Sequence, residues 1–83
     1  MANDLYKDIL TYTILKMIAD SKEPLETKEV EQTIKKVITE ESVTRAKIFY
    51  RLNLLRGESK IKGKFVGPGK GVWIWWRNPN KKL

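Results

Sequence analysis

Thr44-Arg45-Ala46-Lys47-Ile48-Phe49-Tyr50-Arg51-Leu52-Asn53-Leu54-Leu55-Arg56-Gly57 is the stretch that decides the fold, together with Lys60-Ile61-Lys62-Gly63-Lys64-Phe65-Val66, Gly67-Pro68-Gly69-Lys70-Gly71 and Val72-Trp73-Ile74-Trp75-Trp76-Arg77 behind it. The first part reads as a helix over about residues 43–56. Ser42 or Thr44 caps its start, and Gly57 suits its C-terminal stop. At about 100° per residue, Ile48, Leu52 and Leu55 share one face, while Val43, Ala46, Tyr50 and Leu54 form a second apolar strip on roughly the opposite side. Periodicity alone does not choose between them. The remainder reads as a β-hairpin over about residues 60–77, because an alternating run and a β-branched, aromatic run flank a glycine-rich turn. Pairing Val66 with Val72 sets Phe65 against Trp73, Lys64 against Ile74, Gly63 against Trp75 and Lys62 against Trp76. One face is then apolar and the other striped with lysine, and a one-residue slip would exchange the faces. Gly63 leaves room for an opposing indole. Trp75 and Trp76 are neighbours in a strand and point to opposite faces, so one of them is left for an exposed contact.

Upstream, Leu5, Ile9, Leu10, Ile14, Met17 and Ile18 recur at helical spacing, which predicts a first helix over about residues 4–20 with Asn3 or Asp4 as its cap. Ser21-Lys22-Glu23-Pro24 breaks it, and Leu25 falls in a short extended piece. Thr27 is expected to cap a second helix over about 27–38, with Val30, Ile34, Val37 and Ile38 on one stripe. Residues 39–42 are a polar connector short enough to turn one helix sharply against the next. Residues 78–83 read as a frayed basic tail. With 83 residues the chain forms a single domain, 1–83, of the α+β class.

Cysteine and histidine are absent, which removes thiol and imidazole nucleophiles, bases and the usual zinc ligands. The acidic residues are scattered among apolar positions as solvated charges. No catalytic residue, metal site or cofactor is expected, and the chain is not expected to be an enzyme. No apolar run approaches the roughly 20 residues that cross a bilayer, and the first residues lack a signal-peptide layout, so a cytoplasmic location is expected. The net charge of +7 is unevenly placed: residues 1–41 hold six Lys against nine Asp or Glu, and residues 42–83 hold seven Lys and four Arg against Glu58 alone. A half-chain at +10 calls for a partner of dense negative charge, nucleic acid above all. Abundant Lys and Glu with a single Gln fit a thermophilic origin.

The run from Thr44 to Leu55, with a hydroxyl residue at its start, apolar residues four, eight and eleven positions on, and Ile61 six residues later, resembles the recognition-helix signature of many bacterial and archaeal winged-helix regulators. The resemblance covers about Pro24 to Trp76. Ser59-Lys60 stands where those families carry a Gly-apolar pair. The resemblance implies a three-helix winged helix-turn-helix with the C-terminal hairpin as its wing. It makes Ile48, Leu52 and Leu55 core and turns Lys47, Tyr50, Asn53 and Leu54 outward. It further implies double-stranded DNA binding by a transcriptional regulator of archaeal, bacterial, viral or plasmid origin. Thr44, Arg45, Lys47, Tyr50 and Arg51 would address the major groove, and Lys62, Lys64 and Lys70 would hold flanking phosphates. The same resemblance admits a homodimer. Two other readings stay open: a protein-interaction module of a transcription or replication assembly, using Leu54 and one of Trp75 or Trp76, and a sequence-neutral, chromatin-like DNA binder.

Overall fold

A computed structural model describes residues 8–80. The elements follow in the order α1 (Ile9–Asp20), β1 (Leu25–Glu26), α2 (Thr27–Val37), α3 (Arg45–Gly57), β2 (Ile61–Val66) and β3 (Val72–Arg77). The three strands form one antiparallel sheet in the order β1-β3-β2. Three helices closed by this small sheet make an α+β winged helix-turn-helix, with β2 and β3 as the wing. Among the described residues no helix is long and apolar enough to cross a membrane.

The start of α1 differs from expectation. Asp8 has extended backbone, and its carboxylate accepts the Leu10 N–H at 3.0 Å, so the helix begins at Ile9 rather than running through from residue 4. Asn3, Asp4 and Leu5 lie outside the described residues. Asp8 also accepts the hydroxyl of Thr11, which is fully buried. Leu10, Ile14, Leu15 and Ile18 form the buried stripe of α1.

Leu25 pairs with Trp75 and Glu26 with Ile74, so the short extended piece is a third strand. This pairing moves the cap of α2. Glu26 is still extended and is the N-cap, its N–H donating to the Glu29 carboxylate at 2.8 Å. Thr27 instead serves the core. Its hydroxyl accepts the indole N–H of Trp75 at 2.8 Å, pairing the polar atom of a fully buried side chain.

Thr44 is the N-cap of α3, accepting the Lys47 N–H at 3.2 Å. Ile48, Leu52 and Leu55 are fully buried, which decides the ambiguous wheel, and Val43 joins the core from the turn before the helix rather than from a second strip. Leu54, expected outward, is half-buried.

The stop falls later than Gly57. The Ser59 N–H donates to the Arg56 carbonyl and the Lys60 N–H to that of Leu55, a Schellman closure with Ser59 in the left-handed position at φ 63°. A serine there bears the Cβ strain that glycine avoids. Ser59→Gly is therefore expected to raise the unfolding free energy by about 1 kcal/mol, lifting the melting temperature by roughly 5 °C. An unchanged or lower thermal midpoint would contradict it. Asn78 follows the same corner: it is buried and donates to the Ser59 carbonyl at 2.9 Å, so the chain is anchored at the point where the sequence predicts a fraying tail. Residues 81–83 lie outside the described residues.

The wing adopts the expected register, from Ile61 opposite Arg77 to Val66 opposite Val72. Gly63 lies under the Trp75 ring so closely that an added Cβ would stand 2.5 Å from two of its carbons. Trp75 closes the core over Ile14, Ile18, Val30, Ile34, Ile48, Leu52, Leu55 and Ile61.

Candidate nucleic-acid interface

The start of α3 meets the wing on one side of the molecule. Thr44, Arg45, Ala46 and Lys47 are exposed at the start of the helix, and Tyr50 is 62% exposed one turn on. Glu26, Thr27, Lys28, Arg45, Gly71, Val72 and Trp73 line a hollow where the starts of α2 and α3 meet the wing. The structure thus sets Arg45 against the wing and leaves Lys47 and Tyr50 exposed elsewhere on α3, with the Thr44 hydroxyl already engaged in capping.

Two of the expected cations have protein partners. Arg45 pairs through Nε with Glu31 Oε1 at 2.6 Å, and Glu31 also holds Lys35 at 2.9 Å. The hydrogen bonds from Lys35 and Arg45 keep the Glu31 carboxyl ionised below its ordinary range, against a desolvation that opposes them. Arg51 turns away from the exposed arc toward α1. Its Nε donates to Asp8 Oδ2 at 2.8 Å and its Nη1 to the Lys47 carbonyl at 3.4 Å, with only 24% of its side chain exposed. Arg51 therefore ties α3 to the cap of α1.

The wing lysines separate by strand alternation. Ile61, Gly63 and Phe65 share the face of Trp73 and Trp75, against which α3 packs through Phe49; Lys62 and Lys64 lie on the opposite face with Ile74 and Trp76. Both lysines are exposed, as is Lys70 at the tip. Of the tryptophan pair, Trp75 is fully buried and Trp76 half-buried on the lysine face.

Sequence reasoning missed a ladder of rings between α3 and the wing tip. Trp73 stacks on Trp75 with centroids 5.2 Å apart, Phe49 meets both edge-on, and Phe65 meets Trp73 edge-on at 6.0 Å. The Arg56 guanidinium lies 5.2 Å above the Trp73 ring. In the sequence Arg56 reads only as part of the helix stop. Its spacing from Phe49, two turns along the same side of the helix, is the signal that could have found it. At the tip Phe65, Val66 and Val72 are exposed, whereas Leu54 is half-buried.

No protein-family model and no curated protein matches the chain. A solved structure of HOP2, described in terms of its DNA-recognition and protein-interaction domains and their homologous DNA pairing properties, is similar in fold: the TM-score is 0.65 at 24% identity, over 82% of this chain and 97% of that one.

Proposed function

We propose that this chain binds double-stranded DNA as a transcriptional regulator, with α3 in the major groove and the wing tip on the flanking backbone. The observation that carries the reading is the exposed start of α3, where Arg45 lines a hollow with Gly71, Val72 and Trp73 of the wing and Lys47 and Tyr50 are exposed farther round the helix, on a half-chain carrying ten net positive charges. The likeness to HOP2, a protein described by its DNA recognition, supports it. In this reading Thr44 orders the helix start through its cap, Lys47 and Lys70 neutralise phosphates, and Tyr50 reaches the groove floor. Lys62 and Lys64, on the far face, add long-range attraction rather than direct contact.

A salt titration of duplex binding tests this. Three exposed cations, Arg45, Lys47 and Lys70, correspond to a slope of log affinity against log salt of about −3. Lys47→Ala should reduce the slope by about one, and Lys62→Ala should leave it nearly unchanged. An affinity indifferent to salt would overturn the reading. Equal affinity for unrelated duplexes would replace a regulator with a sequence-neutral binder.

Glu31 restrains the interface by holding Arg45. Glu31→Gln removes the charge while keeping a similar shape, so duplex affinity at low salt should rise about threefold, a gain that shrinks as salt increases. A fall in affinity at equal stability would show that Glu31 instead orients Arg45 for contact.

A further inference from the structure

Duplex binding leaves the ring ladder of the wing unused. The outermost ring, Phe65, is 52% exposed, although exposed aromatics on a DNA-facing tip are ill suited to phosphate. The ring is also held in place. It meets Trp73 edge-on, and it lies over Gly71 so closely that an added Cβ there would stand 2.4 Å from the Phe65 ring. Trp73 is in turn backed by Trp75, Phe49 and the Arg56 guanidinium. A preorganised ring presents its face at little entropic cost.

Charge indicates the occupant. Lys70 lies across the turn from Phe65, next to the Gly71 that the ring covers, and Arg56 lies farther along the ladder, whereas Lys64 alternates to the opposite face. An apolar protein segment would satisfy the ring and leave these cations without counterparts. A nucleotide brings a flat base and a phosphate together, and stacking on an aromatic side chain contributes about 1–3 kcal/mol per base.

We infer that the wing tip holds an unpaired nucleobase stacked on Phe65, so that the protein prefers duplex DNA containing unpaired bases over uniform duplex. The inference rests on the DNA-binding reading above. Two labelled duplexes of equal length and charge, one fully paired and one with a central run of mismatched thymines, are titrated with the full chain. The mismatched duplex should bind about tenfold tighter. Phe65→Leu, which keeps apolar volume without a ring face, and Phe65→Ser should both bring the ratio close to one while paired-duplex affinity stays within about twofold. Thermal melting confirms that each variant is folded, and either folded variant suffices for the comparison. Equal affinity of the wild type for the two DNAs overturns the inference and leaves duplex binding standing. A preference that survives in the folded variants also overturns it, assigning the gain to DNA flexibility. Failure to bind either DNA removes both readings.

Discussion

Trp75→Ala should lower the unfolding free energy by about 4 kcal/mol, within the range for deleting a large buried aromatic, and depress the melting temperature by roughly 20 °C. Its indole fills the centre of the core with no exposed surface, stacks on Trp73, meets Phe49 edge-on and donates to Thr27 at the start of α2. Its backbone pairs with both Leu25 and Gly63, so it is the residue on which β1 and β2 converge. Truncation therefore opens a cavity and leaves the Thr27 hydroxyl without its donor. Gly63→Ala tests the same contact from the other side. The added carbon would overlap the ring, and relief requires moving either an edge strand or a packed tryptophan, at about 2 kcal/mol. Chemical denaturation of the two variants should rank them in that order. A loss under about 1 kcal/mol for Trp75→Ala would mean that the indole is not the core element described.

Asp8→Ala should cost about 2 kcal/mol, combining a lost N-cap with a partly buried guanidinium deprived of its carboxylate. Asp8 accepts from Leu10, Thr11 and Arg51, so one side chain caps α1, satisfies a buried hydroxyl and fastens α3. Partial burial works against ionisation of its carboxyl. The Arg51 hydrogen bond, the Leu10 N–H, the Arg51 charge and the Thr11 hydroxyl together outweigh it, and the carboxyl lies below its ordinary value. A carboxyl depressed on folding contributes stability at pH values above its unfolded pKa of about 3.9, and that contribution is lost as pH falls through the folded value. The difference between wild type and Asp8→Asn, measured by denaturant titration, should accordingly be constant from neutrality to about pH 5 and close below about pH 4. A difference that persists undiminished at lower pH would assign the effect to the cap geometry alone. The variant should also bind DNA less well only in proportion to its unfolding, because Arg51 serves the scaffold.

The parts of the site that were legible in the sequence are those set by local geometry. Lys47 and Tyr50 follow from the helix wheel once Ile48, Leu52 and Leu55 are buried, and the exposed cap at Thr44 follows from the preference of hydroxyl residues for that position. Arg45 and Arg51 look alike in the sequence. Their different surroundings arise because Glu31 and Asp8 approach from 14 and 43 residues away. The lysines of the wing were legible as a stripe, but the face they occupy relative to α3 depends on which side of the sheet the helix covers.

By itself the sequence determined the three helices and the hairpin, and it offered the register that the structure adopts. Apolar spacing of 3.6 or 2 expresses covalent backbone geometry, and Gly63 opposite Trp75 and Val66 opposite Val72 are the pairing that puts Phe65 on the face of Trp73 and Trp75. Only the tertiary structure decided the third strand, the left-handed Ser59, the Thr27 hydroxyl bond to Trp75 and the anchoring of Asn78. The side-chain bonds among these join segments remote in the chain, 48 residues apart for Trp75 and Thr27 and 19 for Asn78 and Ser59. Packing around one buried tryptophan selects such partners, since a buried polar group takes whatever donor or acceptor the closed core brings within reach.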